Sequence, residues 1–242
     1  MKHLDSFADN RLIVGCIYCG GMAETREHVP SKVFLDAPLP ENLPIVGACR
    51  PCNNGFSLDE EYVACLVEAV IAGSTSPDKI RRRNIADILN RSPALRAKLD
   101  AAKTINNDQT IFAIELARIN SVIVKLARGH AAFELSQPCR GDPTLLWCHP
   151  LAMLSDEQRD AFEECDIAPL YGEIGSRGMQ RMMLLQFNWC EMGEQRTQGM
   201  MFNDWIEVQE DRYRYHAADY GDMVRIKLVL GGYLACLAEW KM

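Results

Sequence analysis

Residues 16–54 read CIYCGGMAETREHVPSKVFLDAPLPENLPIVGACRPCNN. Two Cys-x-x-Cys pairs, Cys16 with Cys19 and Cys49 with Cys52, bracket a Glu27–His28 dipeptide, and Asn53 and Asn54 follow the last cysteine. A Cys-x-x-Cys turn offers two sulfurs from one loop, so two such pairs supply the tetrahedral set of four that structural zinc takes. A site closed by four thiolates has no open position for water. Its affinity for the ion becomes folding free energy for a segment too small to hold itself together.

Working outward, residues 11–15 read as a short strand entering the first pair. Gly20 and Gly21 suit a tight turn around it, because their backbone amides approach the thiolates closely. Residues 22–29 read as a strand ending at Pro30. Pro30, Pro38, Pro40 and Pro44 exclude regular helix or a central strand between the two halves, so a loop is expected there. Residues 43–48 read as a second strand that delivers Cys49 and Cys52 to the start of a helix. Two starts are open for that helix. Pro51 suits a first helical position, whereas Ser57-Leu58-Asp59-Glu60, just after Gly55, is a capping-box sequence. A stripe at Leu58, Tyr62, Cys65, Leu66, Ala69 and Val70 then carries the helix to Gly73.

The Gly/Ser/Thr/Pro run at 73–78 marks a boundary between a module over 1–75 and a domain over 76–242. Helices are expected over 79–90 and 93–103. A long, largely buried helix is expected over 110–135, where apolar residues fill most of the circumference. Ser155-Asp156-Glu157-Gln158 is a second capping box, opening a helix to about Cys165. Beyond Gly172 the pattern turns to strands: MMLLQFNW, GMMFNDWIEV, RYRYHAA, MVRIKLVL and YLACLAEW, separated by polar turns. Helices followed by sequential strands give an α+β class with a C-terminal antiparallel sheet.

The chain has 242 residues and a formal net charge of −7, which argues against a generally basic nucleic-acid coat but leaves room for a local basic groove. Asp5, Asp9 and Arg11 interrupt the apolar core that a secretion signal needs, and no run approaches a membrane-spanning length, so a cytoplasmic, membrane-free protein is expected. Of ten cysteines, the six outside the pairs (Cys65, Cys139, Cys148, Cys165, Cys190 and Cys236) are scattered singly among apolar neighbours and read as buried thiols.

Cys-x-x-Cys, Glu-His-Val-Pro, Glu-Asn-Leu and Cys-x-x-Cys-Asn, taken together, resemble the HNH (ββα-metal) endonuclease family in its four-cysteine zinc form, the endonuclease VII type. The likeness covers roughly residues 14–60. It implies an N-terminal zinc-stabilised ββα-metal module, followed by the helical segment and the sheet, and hydrolysis of phosphodiester bonds in DNA, with RNA also open. Position by position, His28 would be the general base and Asn42 would brace the loop and orient it. Glu27 and Asn53 would ligate a catalytic Mg²⁺ or Mn²⁺, and Asn54 would take over if the helix began differently. Glu27 is one methylene longer than the usual Asp, and Gly55-Phe56-Ser57 stands where basic residues are common.

Phosphate contacts would then come from Lys32 and Arg50 beside the site and from Arg81, Arg82 and Arg83 beyond the boundary, since neutralising phosphates releases counterions. Trp189, Trp205, Tyr213 and Tyr215 are better matched to packing than to stacking on bases. Two further readings stay open: a zinc-ribbon-like binding module without catalysis, and a nuclease effector controlled by a signal or partner bound to residues 76–242. A homodimer or a partner protein fits either.

Overall fold

Thr25–His28 forms strand β1 and Ile45–Ala48 forms β2, paired antiparallel with Glu27 opposite Val46 and His28 opposite Ile45. The structure is a computed structural model and describes residues 15–107, 109–165, 176–191 and 193–241. The strand expected over 11–15 therefore lies outside the described residues except for Gly15, which bridges to Met22 across the first cysteine turn. The prolines keep both strands short, and the loop between them carries a single 3-10 turn at Lys32–Phe34.

Helix α1 runs unbroken over Arg50–Ala72, with Cys49 at its N-cap, proline in its first turn, and Gly73 ending it at φ 60°. The start at Pro51 is the one used. The capping-box sequence at Ser57 lies inside the helix, where the Ser57 hydroxyl donates back to the Asn54 carbonyl at 2.9 Å. Helices α2 (Arg83–Arg91) and α3 (Pro93–Ala101) follow.

The expected helix over 110–135 needs correcting at its start. Gln109–Phe112 is strand β4, paired with β3 over Lys103–Asn106, and helix α4 occupies only Leu116–Leu135. Thr110, Ile111 and Phe112 are β-branched or aromatic, and Asn107 turns the hairpin at φ 46°. The same pairing ends α3 at Ala101 rather than at Lys103.

Strand β5 (Leu145–Pro150) had no counterpart in the sequence reading. Helices α5 (Asp156–Glu163) and α6 (Arg177–Arg181) come next, α5 opened by the expected capping box on Ser155. Strands β6 (Met183–Glu191) and β7 (Glu194–Phe202) form a separate hairpin. Strands β8 (Ile206–Gln209), β9 (Tyr213–Asp219), β10 (Met223–Leu230) and β11 (Leu234–Lys241) complete the C-terminal part. The main sheet has five antiparallel strands in the order β5-β11-β10-β9-β8. GMMFNDWIEV is thus two strands rather than one, broken where the Asn203 side chain donates to the Ala217 carbonyl at 3.0 Å.

Helix α4 lies between α1 and the sheet, packing on α1 and on β9, β10 and β11. Val224, Ile226, Leu228 and Leu230 alternate along β10 toward a core that also holds Val63 and Leu66 of α1 and Val122 and Leu126 of α4. That core continues on both sides of residues 73–78. Of the scattered cysteines, Cys65, Cys139 and Cys236 are buried and Cys148 and Cys165 half-buried, while Cys190 is exposed on β6. Tyr213 and Tyr215 are buried as expected, but Trp189 on β6 is 41% exposed. Among the described residues no helix is long and apolar enough to cross a membrane.

Candidate functional site

The four cysteines meet where the sequence predicts. Cys16 and Cys19 sit on a turn closed by the Cys16 amide to the Gly21 carbonyl at 2.7 Å, and Ile17 donates to the Gly47 carbonyl of β2 at 3.1 Å. Cys49 caps α1 and Cys52 follows one turn later, so the helix start brings the second pair to the first. All four Sγ atoms lie within 4.8 Å of one another, and those of Cys19 and Cys49 are 3.6 Å apart. Tetrahedral zinc with sulfurs at ~2.3 Å spaces them by about 3.8 Å, so the cluster could hold a zinc ion. Burial opposes ionisation of Cys16, yet backbone N–H groups of Cys49, Cys19 and Tyr18 bring its thiol down to about 6. Burial and the neighbouring thiols push Cys52 up. One thiolate is easily held here and further ones call for a cation beside them. A small second core surrounds the cluster, in which Ile17, Tyr18 and Val46 meet Ala132 and Phe133 of α4.

Beside it lies a cleft of about 410 Å³, walled by β1, α1 and α2. Strand alternation buries Glu27 and leaves Arg26 exposed and His28 half-exposed. His28 and Asn53 both line the cleft. The Thr25 hydroxyl gives its one proton to the Ala48 carbonyl (2.8 Å), so it accepts from Asn53 Nδ2 (3.0 Å). This fixes the Asn53 amide and leaves Oδ1 without a hydrogen bond among the described residues. His28 Nδ1 is buried without a partner, and burial, aided by the Lys32 charge, lowers the ring to about 4. The imidazole is therefore neutral at neutral pH and able to accept a proton.

Glu27 is committed differently from the expectation of a free metal ligand. Its Oε1 accepts from the ammonium of Lys125 at 2.7 Å, and Lys125 also donates to Ser31 Oγ at 2.7 Å and to Glu60. The one proton of the Ser31 hydroxyl goes to Glu60, the nearer carboxylate, with Glu27 Oε1 at 3.3 Å from the same oxygen. Burial raises the Glu27 carboxyl, Lys125 pulls it back, and Glu60 pushes it up again. What remains in the cleft for a divalent cation is Asn53 Oδ1 with the second carboxylate oxygens of Glu27 and Glu60. These are hard oxygens that fit Mg²⁺ or Mn²⁺ in kind, and such ions keep several waters and draw further ligands from phosphates.

Lys32 lines the cleft, but Arg50 and Asn42 are exposed and do not. Asn54 is exposed and lies outside it. Arg81 and Arg83 are exposed, also outside it. The phosphate contact expected of Arg82 is corrected by its burial: its guanidinium pairs with Asp36 at 2.7 Å and donates to the Val33 and Leu35 carbonyls, each at 2.9 Å. Sequence reasoning missed Arg26, Arg91, Glu60 and Lys125. Arg26 carries a signal in standing two residues before His28 on a strand, and Glu60 in standing seven after Asn53 on a helix. Arg91 and Lys125 carry none. No family model matches the chain, and neither does any curated protein or solved structure.

Proposed function

We propose that the protein is a metal-dependent endonuclease of the HNH (ββα-metal) kind that hydrolyses phosphodiester bonds in DNA. The reading is carried by one observation: His28 of β1 and Asn53 of α1, the latter directly after Cys52 of the four-cysteine cluster, line a single cleft. A hairpin leading straight into a helix, with cysteines at both ends of the hairpin, agrees with it. The zinc cluster would be structural, since four thiolates leave no position for substrate.

In this reading His28 takes a proton from the attacking water, for which its neutral imidazole is the right form. Glu27 Oε2 and Asn53 Oδ1 would hold the divalent cation, which when bound stabilises the charge on the departing oxygen. Thr25 holds the Asn53 amide in the orientation that presents Oδ1. Arg26, Lys32 and Arg91, all lining the cleft, would bind the nucleic-acid backbone. Arg26 and Arg91 thus take the place in the proposal that Arg50, Arg81, Arg82 and Arg83 held in the sequence reading.

A plasmid-nicking assay with Mg²⁺ or Mn²⁺ tests this, with a single-stranded RNA run alongside. His28→Ala is expected to lose ~10²–10⁴-fold in rate while keeping its zinc content and fold. Equal cleavage by both proteins, or none from either with any metal, overturns the nuclease and leaves a zinc-stabilised binding module.

A further inference from the structure

Lys125 is 1% exposed and does not itself line the cleft, yet its ammonium holds Glu27 and Glu60, which do. It comes from the middle of α4, 98 residues along the chain from Glu27. Its three protons meet three acceptors, on Glu27, Ser31 and Glu60, so it has no donor left for substrate or water. Two carboxylates converge on this single ammonium, and one negative charge stays uncompensated beside the cleft. Carboxylates that meet in this way are what a divalent ion would use, and here a monovalent cation already holds one oxygen of each.

Resting on the reading of the cleft as a divalent-cation site, we propose that Lys125 is its built-in competitor. The ammonium is the standing counter-ion of the Glu27–Glu60 pair and keeps divalent-cation affinity low in the free protein. Two cations held on neighbouring oxygens repel across a poorly screened interior, and Glu27 Oε1 cannot serve both. The negative charge of a bound phosphodiester restores the balance, so the ion enters together with substrate. Lys125 is accordingly a positioning residue: it fixes which Glu27 oxygen faces the cleft and sets the charge that a metal meets there.

The test is Mn²⁺ binding to the zinc-loaded full chain without nucleic acid, followed by electron paramagnetic resonance of free Mn²⁺. Lys125→Met is expected to bind at least ~10-fold more tightly than wild type, a change of ~1.4 kcal/mol. Should that variant fail to keep its zinc and far-ultraviolet circular dichroism, Lys125→Met with Glu60→Gln takes its place. That double variant keeps the wild-type cluster charge of one negative but frees both Glu27 oxygens, and it too is expected to bind more tightly than wild type. Glu27→Gln added to Lys125→Met should abolish the gain. Affinity no higher than wild type in the folded Lys125 variants, or a gain that survives Glu27→Gln, overturns the proposal. Tighter Mn²⁺ binding with no nicking by any variant would sustain the role of Lys125 while removing the nuclease. Nicking lost in His28→Ala with unchanged Mn²⁺ affinity in the Lys125 variants would do the reverse.

Discussion

Helix α1 is anchored twice, and the two anchors are built from opposite chemistry. At its first turn Cys49 and Cys52 join Cys16 and Cys19 in a cluster that could hold a metal ion. Two turns further on, Glu60 reaches Lys125 of α4, where a lysine plays the cation. The first anchor comes from one short stretch of chain, the second from residues 65 apart. Coordination geometry imposes a spacing on the residues that meet it, so a metal cluster is written in the local sequence. A buried ion pair imposes none.

The comparison breaks most sharply at the metal. Structural zinc contributes about 10 kcal/mol or more to folding of small thiolate sites. Chelation, or Cys49→Ser, should therefore unfold the β1–β2 hairpin and the start of α1. The core around α4 and the sheet has its own apolar contacts and should persist. Hydrogen exchange read strand by strand measures this, and unchanged protection of β1 and β2 after chelation would show that the cysteines are not the anchor.

The lysine anchor comes next in size. Lys125→Ala leaves Glu27 and Glu60 buried without their cation, and removing one partner of a buried ion pair costs ~3–5 kcal/mol. Urea denaturation is expected to show that loss, and adding Glu60→Gln should recover part of it. A loss under ~1 kcal/mol would mean that the carboxylates find water or each other instead, and that α4 does not depend on the pair.

The same contrast explains what could be read beforehand. The cysteine turns, the hairpin, the single helix to Gly73 and most C-terminal strands follow from local spacing, proline positions and period-two alternation, as in Val224, Ile226 and Leu228. Arg82 looked like one of three surface arginines because its partner Asp36 stands 46 residues earlier. Residues 110–112 looked helical because their pattern matched α4, and only the pairing of this strand with Lys103–Asn106 decides otherwise. His28 and Asn53, which line one cleft, could be singled out because they adjoin the motif. Lys125 was not, since a lysine amid Val122, Ile123 and Leu126 signals nothing until the helix is docked.

A smaller effect probes how closely α4 presses on the His28 end of the hairpin. Gly129 is buried on α4, and a Cβ there would stand 2.9 Å from both Cγ atoms of Val29. Gly→Ala inside a helix ordinarily stabilises by ~1 kcal/mol. Here overpacking should reverse the sign, with Gly129→Ala costing ~1–3 kcal/mol in thermal or urea melts. A stabilised variant would show that α4 and the hairpin yield easily, and that Lys125 alone fixes their distance.

The smallest expected effect extends the comparison along α4, from a buried lysine paired with two carboxylates to a buried histidine that has given up its charge. His130 is fully buried, stacked on Tyr215 with ring centroids 3.7 Å apart, and its Nε2 meets the Tyr213 hydroxyl at 2.9 Å. Burial, aided by the charge of Arg181, lowers it from 6.5 to about 3, so it is neutral in the fold across the physiological range. The unfolded chain binds a proton there below its ordinary value of ~6.5, and stability therefore falls as pH drops from that value toward the folded one. Between pH 7 and 5.5 this group should cost ~1 kcal/mol, the slope approaching ~1.4 kcal/mol per unit below that. Zinc release and His28 also respond to acid, so the measurement is a difference. His130→Gln, which keeps a hydrogen-bonding side chain but cannot titrate, should lose that much less stability than wild type over the same interval. Equal losses in the two proteins would mean that His130 is protonated in the fold, and that α4 carries a second buried cation rather than a neutral ring.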